Sequence, residues 1–195
     1  MIAEHKTIRS IPINYYVTGQ NSAHCILFIH PAFAEHRTFD NQIASFSETY
    51  KVITVDLLGH GRSQNIKTKD GIDNSSAHIN EIMDIERIDK VHLVGVSLGS
   101  LIAQDFANQY PAMALSLCAV GGYDINHYDK AIEKEVGKQP LLFMARAIIA
   151  TKWFSKANSV ITAKTETAQK DFYEMNKMFK RRSFRYMATL NKIFN

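Results

Sequence analysis

Gly95-Val96-Ser97-Leu98-Gly99 is the stretch whose residue types and spacing most clearly could do chemistry. A hydroxyl with glycine two places before and two places after suits a turn so tight that larger neighbours would collide. The apolar run Val91-His92-Leu93-Val94 leads into it as a strand, and residues 100–109 leave it as a helix stopped by Pro111. A serine on that turn stands exposed at the carboxyl end of a sheet. The helix behind it directs its positive end at the site. Such a hydroxyl becomes a covalent nucleophile when a base takes its proton. The bland alternative is an ordinary strand–turn–helix with a capping serine. The flanking strand and helix favour the nucleophile.

Two further segments belong to the same chemistry. His30-Pro31-Ala32 ends an apolar run, and Asp56-Leu57-Leu58-Gly59-His60-Gly61-Arg62-Ser63 follows another. His60 and His30 both invite a catalytic reading, but a histidine inside a tight turn more often shapes the turn. Asp56 ends a strand and reads as an anchor. After Ser97 the chain has one histidine, His127, three residues beyond Asp124. A base must come within ~3 Å of the hydroxyl it serves. Those two could form an improvised pair, but a place opposite Ser97 would require rearrangement.

The elements that would hold these residues alternate. Residues 7–18 read as two short strands broken by Pro12. Cys25-Ile26-Leu27-Phe28-Ile29 is apolar throughout, as in a strand buried on both faces. Phe39, Ile43 and Phe46 recur at helical spacing, as do Ile79, Ile82, Met83 and Ile85. Val52-Ile53-Thr54-Val55 and Leu115-Ser116-Leu117-Cys118-Ala119-Val120 complete the strands. Strand–helix alternation predicts an α/β protein with a mostly parallel sheet and helices on both faces. Composition changes near residue 126. Residues 1–125 hold 9 Lys and Arg against 13 Asp and Glu; residues 126–195 hold 14 against 6. The second part reads as all-helical. Pro140 suits a first helical turn, Leu141, Phe143, Met144, Ile148 and Trp153 serve as apolar anchors, and Thr165 and Ser183 suit caps.

Three motifs in this order resemble the α/β-hydrolase superfamily, specifically its esterase, haloperoxidase and C–C hydrolase branch. His30-Pro31-Ala32 is similar to the family's His-Gly-x oxyanion loop, residues 56–63 to its D-x-x-G-H-G-x-S turn, and residues 95–99 to its nucleophile elbow. The resemblance covers about residues 7–125. It implies Ser97 as nucleophile, with the backbone N–H groups of Leu98 and Ala32 as oxyanion donors. Pro31 departs from the usual glycine and has no N–H, which leaves Phe33 as a fallback donor. The resemblance makes residues 1–125 the N-terminal part of the hydrolase core, with about six of the family's eight strands. Residues 126–195 would be a helical cap. The family's acid and histidine follow later strands, so a C-terminally truncated chain is expected, with impaired activity. Epoxide hydrolases and haloalkane dehalogenases of this fold use aspartate where Ser97 stands. The Gly-Gly-Pro loop of proline iminopeptidases is also unmatched.

The implied activity is hydrolysis of an ester, thioester or related acyl bond of a small molecule through an acyl-serine. The alternatives are cleavage of a C–C bond on the same scaffold, or ligand binding without turnover. No metal or organic cofactor is implied. The longest apolar run, residues 141–150, is too short to span a bilayer and contains Arg146. With no apolar leader and only two cysteines, a cytoplasmic protein without membrane partner is expected. The strand order that the resemblance implies would hold Cys25 and Cys118 roughly 9–10 Å apart, beyond disulfide reach, as two buried thiols. The basic run Lys177, Lys180, Arg181, Arg182 and Arg185 could serve nucleic acid, but reads as a solvated helix face, so no nucleic-acid partner is expected. The bare strand at 115–120 carries no Lys or Pro to block pairing, which points to self-association through that edge.

Overall fold

The computed structural model describes residues 3–19, 24–127 and 151–193. Six strands form one sheet: β1 (Glu4–Thr7), β2 (Asn14–Thr18), β3 (Cys25–Ile29), β4 (Lys51–Val55), β5 (Val91–Val96) and β6 (Ala114–Val120). Their order is β1-β2-β4-β3-β5-β6. The first two are antiparallel to their neighbours, while β4, β3, β5 and β6 run parallel. Pro12 falls in the β1–β2 connection, where the hairpin needs no donor from it.

The pleat divides β3 between two cores. Cys25, Leu27 and Ile29 join Ile53, Leu93, Ile79, Ile82, Ile102 and Phe106 on one face. Ile26 and Phe28 join Phe39 and Val52 on the other. Helices α2 (Ser75–Glu86) and α3 (Leu98–Gln109) supply the first face, and α1 (Asp40–Phe46) lies against the second. A strand covered on both sides carries apolar residues without alternation, which is why all five residues of β3 are buried. Helix α2 ends with Arg87 in the left-handed region (φ 55°), its N–H returning to the last turn and that of Ile88 bonding Met83 O at 2.9 Å. This arrangement caps the exposed carbonyls.

β6 pairs only with β5 among the described residues, and residues 115–120 are exposed throughout. Cys118 is therefore exposed rather than buried, while Cys25 is buried; both are free thiols. A second difference concerns α1, which buries none of its seven residues and leaves Phe46 exposed; Phe39, in the preceding 3-10 turn, takes the core position.

No strand occurs in residues 151–193. Helices α4 (Thr151–Thr162) and α5 (Glu166–Met178) pack as an antiparallel pair, followed by short turns. Thr165 caps α5 by accepting from Ala168 N–H at 3.3 Å. Ser183 makes no side-chain cap. Trp153, expected as an anchor, is 60% exposed, and its neighbour Phe154 is buried instead. Pro140, Leu141, Phe143, Met144 and Ile148 lie outside the described residues. So do the residues immediately after the composition change near 126, from 128 to 150.

Candidate active site

Ser97 sits between β5 and α3 with φ 52° and ψ −114°. A side chain with Cβ rarely holds a positive φ, so the backbone there is strained. Two close approaches show why glycines flank it. A Cβ on Gly99 would land on the carbonyl oxygen of Ile29, and one on Gly95 on the carbonyl of Gly99. The helix thus presses directly on strand ends, and only hydrogen fits between. Val120 O accepts from Ser97 N–H at 2.7 Å, and Ser97 O accepts from the Ser100 hydroxyl at 2.6 Å. These bonds fix the backbone and leave the serine side chain exposed. The Ser97 hydroxyl makes no hydrogen bond among the described residues. Leu98 is the first residue of α3, so its N–H has no partner within the helix.

The loop after β3 meets this turn through Gly99, which packs on the Ile29 and His30 backbone. Ala34 N–H bonds Pro31 O at 3.4 Å, closing a four-residue turn around Ala32 and Phe33. Phe33 has φ 65°, the sign a type II turn needs at its third position. Pro31 costs the turn no donor it uses. Ala32 is half-buried beneath Phe33.

His30 organises this loop. Its Nε2 accepts from Leu57 N–H at 3.1 Å, which leaves the proton on Nδ1, 2.7 Å from Pro31 O. Full burial pushes its pKa down to about 4. His60 is also fully buried, and burial together with His30 pushes it down to about 3. Its Nδ1 lies 3.2 Å from Leu58 O, while Nε2 is buried without a partner. The two rings are 5.0 Å apart. Neither is hydrogen-bonded to Ser97, and both bond the backbone of the turns they sit in.

Asp56 is the hub of the second turn. It accepts from Tyr16 hydroxyl (3.2 Å), His36 N–H (3.0 Å), His36 Nδ1 (2.9 Å) and Arg62 N–H (2.8 Å). Burial works against its charge, but these donors outweigh it and hold the carboxyl below its usual range. A Cβ on Gly61 would strike this carboxylate. Glu35, His36 and Asp56 each offer a ligand atom within 4.8 Å of the others. Every one is engaged: Asp56 as above, and Glu35 with Arg37 and His36. The trio is held together as a hydrogen-bonded brace.

Asp124 and His127 do pair, Oδ2 to Nδ1 at 2.9 Å. Both are exposed, and neither bonds Ser97 among the described residues. The pair lies on the surface beyond β6, consistent with the expectation that it needs rearrangement to serve the serine.

Helical residues from 151 onward complete the surroundings. Phe154, Phe179 and Phe184 enclose Phe33, with ring centroids 5.1, 4.8 and 5.8 Å away. Phe179 also lies 4.9 Å from the His60 ring. Tyr186 hydroxyl and Arg185 bond Ile66 O, Arg182 bonds Asn65, and Lys192 pairs with Asp73 at 3.2 Å. Lys177 pairs with Glu174 at 2.7 Å. Lys177, Arg182 and Arg185 of the basic run therefore have structural partners. The aromatic enclosure of Phe33 was not legible in sequence, where the rings are more than 100 positions apart; only its positive φ marks Phe33 as unusual.

The profile of the alpha/beta hydrolase fold family matches residues 25–180, and the chain belongs to that family. Among curated proteins, 3-oxoadipate enol-lactonase 1 of Acinetobacter baylyi is 30% identical over 91 residues, 47% of this chain and 34% of the lactonase. Epoxide hydrolase 1 of Caenorhabditis elegans is 30% identical over 110 residues, 54% of this chain and 27% of that protein. The match spans 34% of that lactonase, 27% of that epoxide hydrolase and 57% of a second enol-lactonase of Acinetobacter baylyi, less than two thirds of each. Among solved structures, a carboxylesterase of Nitrososphaera gargenis superposes with a TM-score of 0.76 at 18% identity, covering 98% of this chain and 73% of the esterase. No helix among the described residues is long and apolar enough to cross a membrane.

Proposed function

We propose that this chain carries the nucleophile half of a serine hydrolase acting on an ester, thioester or related acyl bond of a small molecule. The observation that carries the reading is the conformation of Ser97. A strained positive φ, an exposed hydroxyl and a helix starting at the next residue together present an oxygen for attack. Ser97 Oγ adds to the acyl carbon and forms a tetrahedral oxyanion. The N–H groups of Leu98 and Ala32 hold that charge. Collapse expels the alcohol or thiol, leaving an acyl-serine that water hydrolyses. A histidine and an acid would move the proton, and no described group is hydrogen-bonded to the Ser97 hydroxyl. The similarity to a lactonase that opens a cyclic ester agrees with acyl chemistry. An aspartate nucleophile, as in epoxide hydrolases of this fold, is replaced here by Ser97.

A second reading, ligand binding without turnover, draws on the unpartnered Ser97 hydroxyl. One experiment separates the two. A chain extended by the remaining strands of this fold is assayed on short p-nitrophenyl esters beside its Ser97→Ala variant. The hydrolase reading expects turnover that the variant loses almost entirely. No turnover in the extended chain, or equal turnover in the variant, overturns it.

A further inference from the structure

The conformation of Phe33 is braced by rings of the helical segment. A left-handed backbone is unfavourable for any residue with a Cβ, and Phe33 sits at φ 65°. Phe33 is 5% exposed, and among the described residues Phe154 from α4, Phe179 from the end of α5 and Phe184 just beyond pack against it. The Phe33–Phe154 and Phe33–Phe179 planes cross at 71° and 78°, edge to face, a favourable arrangement of aromatic quadrupoles. Phe179 and Phe184 brace one another at 83° and 5.2 Å. The same Phe179 presses on His60, which stands beside His30. One ring of the helical segment therefore touches both turns that border the site.

Resting on the reading of Leu98 and the Ala32–Phe33 turn as the oxyanion hole, with Phe33 N–H its fallback donor, we propose that Phe154, Phe179 and Phe184 are positioning residues that hold the oxyanion loop in shape through Phe33. Without the three rings, Phe33 would relax to a negative φ. Within a four-residue turn that change flips the peptide between Ala32 and Phe33 and exchanges the directions of its N–H and C=O. The Ala32 carbonyl then takes the place of the Phe33 N–H, the fallback donor, beside the Ala32 N–H, and the developing oxyanion meets a like partial charge. The loop is thus formed only while the helical segment is seated, so cover over the substrate and assembly of the hole arrive together.

The test uses the 195-residue chain with two readouts. In the first, amide hydrogen exchange is followed for residues 32–34 and for β3, β4 and β5. Phe179→Ala should speed exchange in 32–34 and leave the strands protected. Phe154→Ala, on a different helix, should do the same and stands in should Phe179→Ala loosen the sheet as a whole. Unchanged exchange at 32–34, or uniform loosening by both variants, overturns the proposal. In the second, an alkyl fluorophosphonate is used to label Ser97. With no described base bonded to Ser97, the hole is the described feature that would accelerate phosphonylation. A left-handed preference lost from Phe33 should slow labelling about 5- to 30-fold in Phe179→Ala. Phe33→Gly adopts either sign of φ about equally. The double variant Phe33→Gly/Phe179→Ala should therefore label within about twofold of Phe33→Gly alone. Rescue by removing a further ring is not what lost packing would give, and its absence overturns the proposal. Should the unaltered chain fail to label, the comparison is made in the extended chain that supplies the base, where failure to label refutes the nucleophile reading, and exchange at 32–34 decides the clamp in either case.

Discussion

Ser97 and its two glycines are constrained by backbone contact, so substitutions there separate chemistry from folding. Ser97→Ala removes an exposed hydroxyl with no hydrogen-bond partner among the described residues. Its effect on stability is expected within about 0.5 kcal/mol, while turnover of the extended enzyme disappears. Gly99→Ala does the opposite. Its methyl meets the Ile29 carbonyl, a backbone atom that cannot swing aside. Overpacking of that kind costs roughly 1–3 kcal/mol, readable as a lower urea midpoint with unchanged slope. A Gly99→Ala protein as stable as the parent would show that α3 does not press on β3 as described.

At the scale of elements, β6 is the exposed margin of the sheet. Leu115 and Leu117 are each 42% exposed, and Val120 and Tyr123 extend the apolar strip. No charge interrupts residues 114–120, and the strand has one described neighbour. An unpaired row of N–H and C=O groups on an apolar strand templates association. We expect the 195-residue chain to self-associate by β6 pairing with β6 of a second copy. Size-exclusion chromatography should show concentration-dependent dimers or larger species, and Leu117→Lys should shift them towards monomer. A monomer at all concentrations with strong exchange protection over residues 114–120 would refute this.

At the scale of the whole molecule, two histidines are buried neutral between the turns and the helical segment. His30 is held at about 4 and His60 at about 3, against an ordinary value of 6.5. The unfolded chain protonates both below about pH 6.5, and the folded chain does not until the lower values are reached. Stability is therefore complete above pH 6.5 and falls as pH drops from there towards 4. With two protons in deficit, the slope approaches about 2.7 kcal/mol per pH unit. Asp56, held below its usual range, adds loss in the same direction at lower pH. Urea midpoints measured from pH 7.5 to 4.5 should trace this fall, and a flat profile would contradict the burial of both rings. Activity is also a property of the whole. With no described base bonded to Ser97, the 195-residue chain should turn over esters far below an ordinary rate of about 10 s⁻¹. Should it reach that rate, His127→Ala would show whether the surface pair with Asp124 has moved to the serine.

Sequence alone determined the class of this protein because its signals are local. The unbroken apolar run of β3, the glycines around Ser97 and the Asp56–Ser63 turn each express a constraint within a few residues. Chain connectivity then orders the strands and places the elbow at the sheet's carboxyl edge. The roles of His30 and Asp56 as supports were also legible, since residues in tight turns bond their own backbone. What only the tertiary structure decided depends on which surfaces meet. The sequence pointed to Trp153 as an anchor, and the approach of α4 to Phe33 buried its neighbour Phe154 instead. Cys118 has the composition of a buried strand residue, yet β6 has no covering layer among the described residues. The clamp on Phe33 joins a β3 loop to rings more than 100 positions away. No local pattern encodes such a contact, because it arises from the packing of two separately formed units.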